Sequence, residues 1–192
     1  MRPTLKTPPT GQLVEMAALK QHVIAPSSDD DALLAIYLAA AVRRLDGYSG
    51  ILGRCLLTQI WAVKHACWQS RIGLPFCDVS SVDVTYLDTN GDVQSVPEAH
   101  FEIVEGSRFA WLHFKDGFDA PGLFADTVTP VAIDITAGYG VAADVPEPIV
   151  TAVLLLAAHL YLNREASVVG ASVAPLPFGF DELIAPYRMV GI

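Results

Sequence analysis

The chain has 192 residues, 52% of them apolar, and a formal net charge of −9. This length and apolar content predict one domain of ordinary size whose core needs no disulfide or metal support. The acidic balance argues against a nucleic-acid groove, which needs clustered Lys and Arg to displace counterions. The three cysteines, Cys55, Cys67 and Cys77, lack the close spacing of a metal site, and we expect reduced core cysteines of a cytosolic protein.

Two helices are predicted near the start of the chain. Residues 1–11 contain three prolines and form an extended lead. A short helix follows over residues 12–23. Residues 28–47 then show apolar positions at helical spacing, which predicts an amphipathic helix. Ser28 and Asp31 have the spacing of a capping box at its start.

The most apolar stretch predicts a third, longer helix over residues 146–163. It is preceded by Asp144, a residue suited to capping the first turn, and by prolines that helix starts tolerate. Its side chains are apolar nearly all round, which is typical of a helix buried on most sides. The stretch is too short to cross a bilayer, so we expect no membrane association.

Between the second and third helices the apolar period changes from helical spacing to alternation. Residues 59–68, 79–87 and 131–135 alternate in this way, and Asn90-Gly91 supplies the positive φ angles of a tight hairpin. The sequence therefore predicts an α+β fold: a helical core of three helices with an antiparallel β subdomain inserted at about residues 58–137.

The end of the chain is unusually apolar for a terminus. A linker of small residues begins at 167 and leads into an arm that ends at 192, so residues 12–166 form the main domain. The arm either folds back on its own domain or docks on a partner, and we favour docking because a tether precedes the apolar anchors. Those anchors are Phe178, Phe180, Leu183, Ile184 and Tyr187.

Catalytic signals are weak throughout. Gly138-Tyr139-Gly140 precedes a helix but lacks the further glycines of a phosphate-binding loop, so we interpret it as a turn. His65 and His113 fall in predicted strands and could meet across a sheet. Ordinary sheet histidines are favoured over the metal pair of a metal-assisted hydrolase, which stays as the alternative.

Several segments in order resemble the head–tail connector (adaptor) family of tailed bacteriophages and phage-like gene transfer particles. The segments are LVEMAALKQHV, SSDDDALLAIYLAAAVRRLDGY, TQIWAV, IGLPFCDVSSVDVTYLDTNG and ITAGYGVAADVPEPIVTAVLLLAAHLYLNREA, followed by the ending with Leu176-Pro177 and Pro186-Tyr187-Arg188. The resemblance covers residues 12–190. Residues 1–10 and the loop at 115–128 match no family segment.

The resemblance implies a structural protein of the virion, assembled in the cytoplasm of a bacterial host. No enzyme activity, no cofactor and no metal are then expected. Such adaptors form a ring, commonly of twelve copies, beneath the portal protein and pass the DNA channel to the next neck or tail protein. DNA passes through the lumen without specific binding. A stopper or tail-terminator ring is the alternative within the same compartment.

Two sets of interaction residues follow from these expectations. The arm, with Phe178, Phe180, Leu183, Ile184 and Tyr187, is the predicted portal-docking element. Contacts between ring subunits, or with the next neck protein, are predicted at Phe118, Leu123 and Phe124 in the 115–128 loop and at Arg164 and Glu165 after the third helix.

Overall fold

The computed structural model describes residues 2–24, 27–106, 109–163 and 179–189. The chain divides into two compact units. A β unit comprises Met1–Thr10 and Leu57–Tyr139, and a helical unit comprises Gly11–Leu56 and Gly140–Ile192. Helices and antiparallel sheets are both present, so the predicted α+β class is confirmed.

Long apolar segments build the helical unit. Its described α-helices are α1 (Met16–Val23), α2 (Asp31–Leu45), α3 (Glu147–Leu162) and α4 (Phe180–Ile184). α2 packs along α3, and the Tyr161 hydroxyl in the last turn of α3 donates a 2.6 Å hydrogen bond to Asp30 before α2. The two helices therefore run in opposite directions.

α3 is the central helix of this unit. Ile149, Ala152, Val153 and Ala157 are fully buried, as expected for a helix that is apolar nearly all round. Full burial of four such side chains removes the apolar face of α3 from water, and this is the main source of its stability.

Both predicted helix caps differ from those observed. Pro146 is the N-cap of α3, while the Asp144 carboxylate accepts the Val141 N–H at 3.0 Å in the preceding 3-10 turn. α2 begins after Asp30 rather than Ser28. Local spacing alone did not identify these ends, because a carboxylate can cap a tight turn as readily as a helix.

In its described residues, the β unit has eight strands in two antiparallel sheets. The five-stranded sheet has the order β1-β2-β8-β4-β5 and the three-stranded sheet the order β3-β7-β6. The strands are β1 (Thr4–Thr7), β2 (Gln59–His65), β3 (Arg71–Gly73), β4 (Val79–Leu87), β5 (Val93–Ser95), β6 (Phe101–Val104), β7 (Trp111–Phe114) and β8 (Val131–Ala137).

The middle strand of the larger sheet, β8, organises the core of this unit. Its side chains alternate strictly between buried and half-buried, the pattern of a strand with one face toward the core. Ile133 lies between Val63 of β2 and Val84 of β4 in the register, and all three are buried. This row of apolar side chains fixes the register, since a slip of one residue would turn it outward.

Charged side chains lie on the opposite face of this sheet. Asp83 and Asp134 lie directly opposite each other on β4 and β8, where like charges destabilise a strand pair. Lys6 of β1 forms an ion pair with Asp134, and this hydrogen bond and the carboxylate charge raise the pKa of Lys6. The lead predicted for residues 1–11 thus includes an edge strand held by backbone pairing and one ion pair.

The Gly138-Tyr139-Gly140 segment is a turn, with φ angles of 135° at Gly138 and 125° at Gly140. A Cβ at Gly138 would collide with the Leu57 carbonyl oxygen, and one at Gly140 with the Asp144 carboxylate. Side chains are excluded at both positions by conformation and by space.

The cysteines are only partly in the core. Cys55 is buried and Cys77 half-buried, but Cys67 is exposed, so the prediction of three core cysteines is wrong for Cys67. The alternating pattern that suggested burial of Cys67 continues past the end of β2 at His65. Among the described residues, no helix combines the length and apolarity that a bilayer span requires.

Candidate interaction surfaces

The C-terminal arm contributes two side chains to the core of the helical unit. Phe180 and Ile184 are 1% and 0% exposed, and α4 packs against α3. The expectation that these two side chains face a partner is corrected, because the chain's own helices cover them. Their spacing of one helical turn places both on the same face of α4.

The remaining arm candidates are less enclosed. Leu183 and Tyr187 are half-buried, so part of each side chain is accessible to a partner. Phe178 lies outside the described residues, as do Arg164 and Glu165. Of the predicted docking residues, Leu183 within α4 and Tyr187 just after it are therefore the two that the described arm leaves partly accessible.

The segment after α4 is also attached to the helical unit. The Met189 N–H donates a 2.8 Å hydrogen bond to the Leu52 carbonyl, and a Cβ at Gly53 would lie 3.3 Å from the Met189 Cβ. Arg188 reaches back to Asp181, with 3.8 Å between Nη1 and Oδ1. The Met189 contacts therefore hold the segment after α4 against the helical unit.

An aromatic cluster holds the first part of the 115–128 loop. The Trp68 ring meets Phe118 edge-on at 5.2 Å and Phe114 at 5.6 Å between centroids, and Phe118 stacks on Phe114 at 4.7 Å. The Trp68 indole N–H donates to the Pro121 carbonyl at 2.9 Å. Phe118 is consequently half-buried, with only part of the ring exposed.

The second part of this loop lies against the β4–β5 hairpin. The Phe124 N–H donates to the Leu87 carbonyl at 3.0 Å, and a Cβ at Gly91 would be 3.3 Å from the Phe124 ring. Leu123 and Phe124 are both half-buried. The three predicted loop residues are thus held in place with partly accessible side chains.

The histidines of the hydrolase alternative lie in different sheets. His65 pairs with Val131 in the five-stranded sheet, whereas His113 pairs with Arg71 and Glu102 in the three-stranded sheet. Within the described ranges, no group of three or more His, Cys, Asp or Glu could hold a metal ion. Burial lowers the pKa of His65.

The Asp88 carboxylate forms hydrogen bonds within its own hairpin turn. Asp88 accepts the backbone N–H groups of Asn90 at 2.9 Å and Asp92 at 3.1 Å, and the Gln94 amide at 3.1 Å. The Asn90 hydrogen bond is the main cause that lowers the pKa of Asp88. This carboxylate organises the hairpin predicted around Asn90-Gly91.

Two exposed apolar surfaces of the helical unit were not predicted. The outer face of α2 has Ile36 at its centre, 64% exposed. Before α3, Val141 is 66% exposed, and its backbone N–H is bonded to the Asp144 carboxylate. The sequence did indicate the exposed apolar face of α2. After Asp31, the segment DALLAIYLAAAV has Tyr37 as its single polar residue, so this part of the helix cannot have a polar outer face.

A helical unit combined with a β unit of two antiparallel sheets defines the α+β fold of this chain. The chain is similar along its whole length to solved chains of gene transfer agent (GTA) particles. A chain from the neck of the empty GTA particle, computed with C6 symmetry, is 26% identical with a TM-score of 0.78. A chain from the virion of the native particle is 25% identical with a TM-score of 0.80.

A third chain, from the neck of the native GTA particle computed with C12 symmetry, is 26% identical with a TM-score of 0.75. Each match covers 100% of this chain and 97% of the other. No protein-family model and no curated protein matches the sequence. The resemblance to neck proteins of phage-like gene transfer particles is therefore confirmed by structure.

Proposed function

We propose that this chain is a structural protein of the neck of a phage-like particle, and that within the neck it is the adaptor between the portal and the tail. The full-length likeness to neck chains of GTA particles supports the first part. The virion is then the site of action.

The order of the connector-like segments and the apolar arm favour the adaptor over a stopper or tail terminator. α4 is fixed to its own domain by Phe180 and Ile184. It can therefore present Leu183 and Tyr187 from a rigid base, with Phe178 before it. A preorganised apolar surface binds a partner at a lower cost in conformational entropy than a free tail does.

The adaptor would form a ring of twelve copies around the DNA channel. The chain has 21 acidic and 12 basic residues, so a lumen lined mainly by carboxylates repels phosphates and lets the duplex slide. The loop with Phe118, Leu123 and Phe124, together with Arg164 and Glu165, would contact a neighbouring subunit or the next neck protein. A lumen lined by Lys and Arg would contradict this electrostatic role.

A pull-down with the portal protein of the same particle tests the adaptor assignment. The unmodified chain is expected to bind portal. Leu183→Glu should abolish binding while circular dichroism and thermal melting remain close to those of the unmodified chain. Glu182→Ala, an exposed change on the same helix, is the matched control and should bind normally.

Two outcomes would contradict the adaptor assignment. One is a chain that binds a tail-terminator or stopper protein but not portal. The other is Leu183→Glu binding portal as well as the unmodified chain does, which would remove the arm from the interface.

A further inference from the structure

The two faces of the three-stranded sheet in the β unit differ in exposure. On one face, Ile72 and Leu112 are 2% and 0% exposed and lie opposite each other in the register. The side chains that alternate with them point to the other face and are exposed or half-buried. We call this other face the Trp111 face; its residues are Arg71, Gly73, Glu102, Val104, Trp111 and His113.

Arg71 is held over the ring of Trp111. Its guanidinium carbon lies 4.0 Å from the centroid of that ring, which is the geometry of a cation–π contact. The ring also lies close to β3, because a Cβ at Gly73 would come within 3.3 Å of it. Among the described residues, Arg71 has no hydrogen bond and no ion pair. Its N–H groups therefore have no acceptor from this part of the chain.

The Trp111 indole N–H is a second donor without an acceptor among the described residues. Trp111 is half-buried, and the N–H of such a ring usually finds a hydrogen-bond partner. Arg71 and Trp111 thus present donors on one face, and the acceptor has to come from another molecule. A guanidinium donates best to a carboxylate or a phosphate, because its planar fork matches two oxygen atoms at once.

The carboxylate of the Trp111 face does not supply this acceptor. Glu102 lies in the same cross-strand row as Arg71, with His113 between them, so their Cα atoms are about 10 Å apart at the usual strand spacing. Glu102 is exposed and has no ion pair within the described ranges. Stacking on Trp111 keeps the guanidinium available to a partner and reduces the conformational freedom that it would lose on binding.

A protein fits the Trp111 face better than DNA does. Binding of a duplex takes several Lys and Arg side chains, whereas this face combines Arg71 with the opposite charge of Glu102. It also has an apolar part, since Val104 is 40% exposed and lies opposite Trp111 in the register. Tryptophan and arginine are enriched among the few residues that provide most of the binding energy at protein interfaces.

We propose that the Trp111 face binds the tail-side neighbour of this chain in the neck through a carboxylate of that protein. The carboxylate accepts hydrogen bonds from Arg71, and an apolar side chain beside it covers Val104 and the exposed part of Trp111. This inference rests on the proposed adaptor function, in which α4 contacts the portal and another surface has to contact the tail-side protein. The 115–128 loop, already a candidate for that contact, follows directly after β7.

Biolayer interferometry with the purified tail-side neck protein of the same particle tests this contact. Arg71→Glu should weaken binding on the order of tenfold or more, because two carboxylates then face each other. Arg71→Lys should also bind more weakly, because an ammonium does not donate in a planar fork. Lys64→Glu makes the same change of charge at an exposed position of the five-stranded sheet; it is the matched control and should bind normally.

The Arg71→Lys variant also identifies the partner carboxylate. A carbodiimide joins the introduced amine to a carboxylate in contact with it, forming an amide with loss of water, and mass spectrometry of the cross-linked peptides locates that residue. Replacing this residue by lysine in the tail-side protein should restore binding to the Arg71→Glu chain. A variant that had merely lost its fold would not be rescued in this way.

Three results would overturn the proposal: unchanged binding of the tail-side protein by Arg71→Glu, an equal loss in Lys64→Glu, or a loss confined to binding of portal, of a DNA duplex or of a second copy. A chain that binds neither portal nor the tail-side protein fails as an adaptor. A chain that binds both proteins and tolerates Arg71→Glu remains an adaptor with a different contact surface, so the two failures are distinguishable.

Discussion

Replacing Phe180 by alanine tests whether the arm belongs to the domain. Phe180 is 1% exposed and sits where α4 packs on α3. Loss of a buried Phe side chain typically costs about 3–5 kcal/mol, from lost transfer free energy and the cavity that remains. Against a total free energy of unfolding of about 5–15 kcal/mol, this is a large share, and for a chain of this size it lowers the melting temperature by roughly 6–20 °C.

Urea unfolding followed by circular dichroism measures this loss, with thermal melting alongside. Glu182→Ala on the same helix is the control, and a change at an exposed position is expected to stay within about 0.5 kcal/mol. If Phe180→Ala also stays within that range, α4 does not stabilise the helical unit, and the arm is a docking element free of its own domain. The same reasoning predicts that a chain ending at Ala174 is destabilised, because it lacks both Phe180 and Ile184.

Three further predictions concern the β unit. Gly91→Ala should lower the free energy of unfolding by about 1 kcal/mol or more in urea, because Gly91 has φ 88° and an added Cβ would press on the Phe124 ring. An unchanged urea midpoint would contradict this turn geometry. The folded-state pKa of His65 is lowered, so the unfolded chain binds more protons and the free energy of unfolding falls as pH drops through about 6.5. His65→Gln should flatten that fall. A variant whose stability has the same pH profile as that of the unmodified chain would contradict this role of His65. Lys6→Ala should speed hydrogen exchange of the β1 amides. The melting temperature should change little, because Lys6 pairs with Asp134 only at the surface. Unchanged exchange would show that backbone pairing alone holds β1.

The elements that were predictable from sequence are those whose stabilising contacts are mostly local. α3 could be identified from its continuous apolar run, and the β4–β5 hairpin from Asn90-Gly91 between alternating segments. β1 was missed because every side chain in Thr4–Thr7 is exposed, so no apolar pattern marks it. It exists because the edge of β2 accepts its backbone, which is a tertiary effect. β3 has only three residues and gives no period to detect.

The interaction residues were harder to predict for a related reason. An apolar residue in the sequence does not show whether it is buried in its own chain, covered by another chain or left exposed. Phe180 and Ile184 were expected to face a partner and are covered by the chain's own helices, while Ile36 was taken as part of an amphipathic helix and is exposed. In the sequence, the four-residue spacing of Phe180 and Ile184 indicated that both could lie on one face of a helix.

Electron microscopy of the purified chain mixed with its portal protein tests the central claim most directly. The account predicts a closed ring of this chain seated coaxially on the portal. Isolated copies scattered on the portal, or a portal that stays bare at saturating concentrations of the chain, would contradict it.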